Sequence, residues 1–103
     1  MAGDEQAVTA VPTRAVYFVS DSTGITAETL GNALLANFPG FRFVRHTIPF
    51  VDSPDGAARV AGQIAEDAAT GLAPIAFTTT KDAAVSAVLA SAPATRIDLL
   101  GGH

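Results

Sequence analysis

The chain has 103 residues, 49% of them apolar and 16% charged, enough for one domain with its own core and too ordered in composition for a disordered segment. Its net charge is −4, and the single lysine and five arginines are scattered, which speaks against nucleic acid and anionic membrane surfaces as partners. Without cysteine it has no disulfide, thiol nucleophile or cysteine metal site, and without a basic leader or an apolar run of roughly 20 residues it is expected to be cytoplasmic.

Residues 1–14 have no sustained period and contain Pro12, so a loose tail is expected before a domain over 15–103. Val16 to Val19 is a short β-branched and aromatic run bounded by a turn, the pattern of a strand buried on both faces. A helix is expected from about Thr26 to Asn37. Ala27, Leu30, Leu34 and Phe38 recur at helical spacing, Glu28 suits the first turn, and Pro39-Gly40 stops it. In this reading Leu30 and Leu34 face the sheet.

Phe41 to Ile48 alternates apolar residues with Arg42, Arg45 and Thr47 and ends at Pro49, as an edge strand would. Ser53-Pro54 is a strong helix start, because serine caps free amides and proline at the first position lacks only a donor that would be unpaired. Ala57, Val60, Ala61, Ile64, Ala65 and Ala68 then mark one helical stripe, ended by Thr70-Gly71. A third strand follows at Pro74 to Thr78, a third helix at about Lys81 to Ser91 with Asp82 near its start, and a fourth strand at Arg96 to Leu100.

Alternating strands and helices of this length define an α/β three-layer sandwich with a mainly parallel, doubly wound, Rossmann-like sheet. Such sheets normally continue into a helix that covers the last strand. None follows Gly101-Gly102-His103, so the chain is expected to be part of a longer protein.

Ligands of such sheets sit beyond the carboxyl ends of the strands, where Ser20 to Gly24 and Thr78 to Thr80 are both placed. Ser20, Asp21, Ser22, Thr23, Gly24 and Thr26 combine hydroxyls with the free amides of a helix N-terminus, a candidate anion or phosphate turn, although capping is the commonest use of such residues. Asp21 is a candidate general base and otherwise an Asx-turn residue; Glu28 either takes part or complements the helix dipole.

Other chemistries lack their residues. There is no glycine-lysine-serine/threonine loop, and Lys81 follows no glycine loop. A receiver domain needs an aspartate where Phe77-Thr78 stand. His46 and His103, the only histidines, offer no base for Ser20 or Ser22 and no metal site. His46, in the second strand, reads as structural or surface-exposed.

The segment VYFVSDSTGITAETLGNALL at 16–35, followed by Phe38-Pro39 and TIPFVD at 47–52, closely resembles the opening of the bifunctional kinase/pyrophosphorylase regulators of pyruvate, phosphate dikinase and phosphoenolpyruvate synthase. The resemblance continues more loosely to Ile97-Asp98. It implies phosphorylation of a threonine of the target enzyme with ADP as donor, and removal of that phosphate by inorganic phosphate to give pyrophosphate. The wording of Ile25 to Gly31 and of Ile48 to Val51 looks more like the synthase regulators than the dikinase ones. Family members are well over twice this length and carry their nucleotide-binding P-loop in the C-terminal half. The resemblance therefore covers nearly all of this chain, transfers no nucleotide-contacting residue, and implies that these 103 residues alone are catalytically inactive; a homodimer is left open. The alternative is a non-catalytic α/β module that docks a partner protein or a small anion.

Overall fold

The computed structural model describes residues 11–100. Four strands, β1 (Thr13–Ser20), β2 (Arg42–Ile48), β3 (Ile75–Thr79) and β4 (Thr95–Asp98), form one sheet in the order β2-β1-β3-β4. Every neighbouring pair is parallel. Three helices connect them: α1 (Ile25–Leu35), α2 (Pro54–Ala69) and α3 (Ala83–Ala90). The expected doubly wound sheet is therefore present, with β2 at an edge. Residues 1–10 of the expected tail and the Gly101 to His103 ending lie outside the described residues, and the first strand begins at Thr13, inside the stretch assigned to the tail.

Alternation along the strands divides the core in two. Ala15, Tyr17, Val19 and Ala76 pack against Val60 and Ile64 of α2 and Val85 and Leu89 of α3. Val16, Phe18, Ile75 and Phe77 point the other way and meet Ala27 and Leu35 of α1. β1 is buried from Ala15 to Ser20 because both faces are covered, which accounts for its unbroken apolar run. Each fully buried valine or phenylalanine here contributes about 1.5–3 kcal/mol relative to exposure.

The α1 face corrects one expectation. Ala27, Gly31 and Leu35 are the residues that α1 buries, whereas Leu30 and Leu34 remain 44% and 42% exposed. The cause lies in the strands. The Phe18 and Phe77 rings stack with centroids 5.7 Å apart and fill the space above the sheet, so α1 can lie down only where it has no side chain. A Cβ on Gly31 would stand 2.5 Å from Phe18 Cε1. Polar ties fix the same rotation: Thr47 Oγ1 donates to Glu28, and Arg45 Nε donates to Asn32 Oδ1 at 2.7 Å. Glu28 and Asn32, one turn apart, thus meet alternate residues of β2, which gives that strand's polar residues their purpose.

On the opposite face α2 buries Ala57, Val60 and Ile64 of its predicted stripe, while Ala65 is exposed. Tyr17 is buried against His46, with rings stacked 4.9 Å apart, and its hydroxyl donates to Asp67 Oδ2 of α2. His46 is thus exposed and structural. No described helix is long and apolar enough to cross a membrane.

Candidate functional site

With the strand order β2-β1-β3-β4, the chain leaves β1 toward one edge and returns across it to β3, so the topological switch point lies between the carboxyl ends of β1 and β3. Both hydroxyl-bearing turns named from the sequence emerge there, Ser20 to Gly24 at the end of β1 and Thr78 to Thr80 at the end of β3. They are fastened together. Lys81 N donates to Asp21 Oδ2 at 3.0 Å, and Asp21 N donates to Thr79 O at 3.4 Å.

The predicted residues divide by role. Ser20 is buried, and its Oγ accepts from Ser22 N at 3.0 Å, so serine rather than Asp21 makes the local side-chain turn. Asp21 instead spans the crevice to Lys81. Gly24 adopts φ 89°, and a Cβ there would stand 3.0 Å from Thr47 Cγ2, so this position requires glycine on both counts. Ser22, Thr23 and Thr26 are exposed on the outer side of the turn.

Three helix N-termini reach this edge of the sheet, and they differ in one respect. Ser53 Oγ caps α2 by accepting from Gly56 N at 3.1 Å, and Asp82 Oδ1 caps α3 by accepting from Ala84 N and Val85 N. The cap position of α1 is Gly24, which has no side chain, and the nearest substitute is Thr23 Oγ1, 3.5 Å from Ile25 N. The first-turn amides of α1 consequently keep their hydrogen-bonding capacity at the positive end of the helix dipole.

The second turn differs from its sequence reading. Thr78, Thr79 and Thr80 are all buried, so their hydroxyls do not line the edge. Thr80 Oγ1 pairs with Ser86 Oγ at 3.0 Å, and Thr78 Oγ1 has no hydrogen-bond partner. What this turn offers the site is the Lys81 backbone.

Sequence reasoning missed the third loop. Phe50, φ 58°, donates its N–H to Ser22 O at 2.9 Å, and Val51 N donates to Ser20 O at 2.8 Å, so the β2–α2 connection is zipped onto the Ser20 turn. A bulky residue in the left-handed region costs of order 1–2 kcal/mol, and these paired amides hold it there. The Phe50 ring is left 65% exposed beside the turn. Nothing in Ile48-Pro49-Phe50 announces a left-handed aromatic, since that conformation normally belongs to glycine or asparagine.

A four-stranded parallel sheet with helices on both faces and two loops fastened together at its switch point defines a Rossmann-like α/β domain. The chain belongs to the kinase/pyrophosphorylase family, whose model matches residues 16–102. It is 58% identical over 69 residues to a protein of Aromatoleum aromaticum, a match covering 66% of this chain and 25% of that one. Over 93 residues it is 46% identical to a protein of Methylibium petroleiphilum, covering 88% and 34%. A protein of Alkalilimnicola ehrlichii is 48% identical over 86 residues, covering 82% and 31%. All three bear the same provisional name, phosphoenolpyruvate synthase regulatory protein. The chain spans no more than about a third of the length of these curated relatives.

Proposed function

We propose that this chain is the N-terminal α/β part of a bifunctional enzyme that regulates phosphoenolpyruvate synthase, phosphorylating a threonine of the synthase with ADP as donor and removing that phosphate with inorganic phosphate to release pyrophosphate. Family membership and the shared name of the relatives support the regulatory role. Pyruvate, phosphate dikinase is the alternative target, and the cytoplasm is the compartment in which either substrate enzyme would be met.

The observation that carries the chemical part is the contrast among the three helix starts. Two are capped by their own side chains, and the one at the switch point is not. Ser22, Thr23 and Thr26 surround its open amides with hydroxyls, an arrangement suited to the phosphate of a phosphothreonine or to free phosphate. Asp21 and Gly24 shape the turn from within. No residue here forms a lysine-bearing phosphate loop, so ADP is assigned to chain beyond this sequence.

The test has two arms. In the complete gene product, ADP-dependent phosphate incorporation into phosphoenolpyruvate synthase and phosphate-dependent release of pyrophosphate should both be measurable, and the absence of both would refute the enzyme assignment. In the 103-residue chain, titration with phosphate and pyrophosphate should shift the amide NMR signals of Ser22 to Ala27. Unmoved signals would remove the anion role from this turn.

A further inference from the structure

The helices are distributed unevenly over the sheet. α2 and α3 cover one face, and on the other α1 packs beside β1 and β3 without reaching over β4. The result is a trough of about 260 Å3 between α1 and the sheet. Its walls are Leu34 and Phe38 on one side, Phe41 and Phe43 at one end and Ile97 of β4 on the other. Phe38 is 54% exposed and Leu34 42%. Parallel strands are normally covered on both faces, so the exposed apolar surface of Leu34, Phe38 and Phe41, beside the half-buried Ile97 of β4, marks a layer that the described residues leave incomplete.

We infer that this trough is the seat of a helix supplied by the part of the polypeptide that, in the longer relatives, lies beyond the matched third. The inference rests on the assignment of this chain to such a longer protein and is independent of the reaction it catalyses. Three observations select this occupant. The trough is continuous with the core cluster of Phe18 and Phe77, so what fills it completes the domain rather than decorating it. It lies at the α1 end of a face where a doubly wound sheet continues its helical layer. The third concerns a second copy, the main rival. A two-fold interface apposes the same surface from each subunit, and two concave troughs set face to face do not fill one another. A convex apolar helix does.

Thiol protection tests this, because these 103 residues have no cysteine and labelling at each introduced position is read by mass spectrometry of its own peptide, whatever cysteines the rest of the gene product carries. Leu34→Cys and Phe38→Cys report on the trough. Gly62→Cys, where an added side chain meets nothing within 4 Å, reports on open α2 surface. Two trough positions keep the test alive if one substitution impairs folding. Maleimide labelling at 34 and 38 should be slowed at least about tenfold in the complete gene product relative to the 103-residue chain, with position 62 labelled alike in both.

Equal, rapid labelling at 34 and 38 in both proteins would overturn the inference. So would protection in the 103-residue chain that grows with its concentration, since a second copy would then be the occupant. An inactive complete protein with positions 34 and 38 protected would refute the proposed reaction and uphold the seat.

Discussion

Asp21 and Lys81 stand 60 residues apart in the chain and are joined by a 3.0 Å hydrogen bond from the Lys81 amide to the Asp21 carboxylate. That bond closes the crevice between β1 and β3 at its floor, where doubly wound domains place their ligands. It makes the first turn's shape depend on the second. Asparagine presents the same carbonyl oxygen without the charge, so Asp21→Asn should keep the bond, stay within about 0.5 kcal/mol of the parent in urea denaturation, and leave unchanged the two reactions proposed for the complete protein. Asp21→Ala should lose about 1 kcal/mol and broaden the amide signals of both turns. Intact stability with lost activity in Asp21→Asn would show that the charge takes part in the chemistry.

Two glycine substitutions in helices should act in opposite directions. Gly62 lies on the open side of α2, and Gly62→Ala should stabilise by about 0.5–1 kcal/mol through helix propensity alone. Gly31→Ala gains the same propensity but drives a methyl group to 2.5 Å from Phe18 Cε1 and 3.0 Å from Phe77 Cδ2. Overpacking costs about 1–3 kcal/mol, so the net effect should be a loss, seen as a lower thermal midpoint.

Gly31 also explains where the sequence was legible and where it was not. Strand and helix order, the edge position of β2 and the capping role of Ser53 follow from periods and caps that local sequence carries. The rotation of α1 does not. Counting apolar residues favours Leu30 and Leu34 as the buried face, whereas the decisive residue is one with no side chain, and its value depends on two phenylalanines from other strands. The site divides in the same way. The Ser20 to Gly24 turn is readable as a strand-to-helix junction, but the Lys81 amide and the Phe50 loop reach it through long-range pairing.

Removing side-chain caps should separate helices that depend on them from the one that does not. Ser53→Ala and Asp82→Ala should each cost about 0.5–2 kcal/mol, because each strips an acceptor from first-turn amides. Thr23→Ala should cost less than about 0.5 kcal/mol, since its 3.5 Å contact with Ile25 N is long and exposed. Chemical denaturation of the three variants checks the order. A large loss at Thr23 would mean that its hydroxyl caps α1 and that the turn is less open to an anion than proposed.

Alkaline pH should act through Tyr17. Tyr17 is the sole tyrosine, and its ionisation is pushed well above the ordinary tyrosine range, first by burial and then by its hydrogen bond to the Asp67 carboxylate. A phenol whose folded-state pKa is raised contributes stability that is complete below the unfolded value near 10 and falls away as pH climbs above it. Stability should therefore be flat across neutral pH as far as this group is concerned and decline above about pH 10. Ultraviolet titration follows Tyr17 alone: phenolate should appear only as the fold is lost, whereas an ordinary tyrosine titration curve on a folded chain would contradict the buried pairing. Tyr17→Phe supplies the control. It lowers stability at neutral pH because Asp67 loses its donor, and it should abolish the part of the decline above pH 10 that belongs to the phenol.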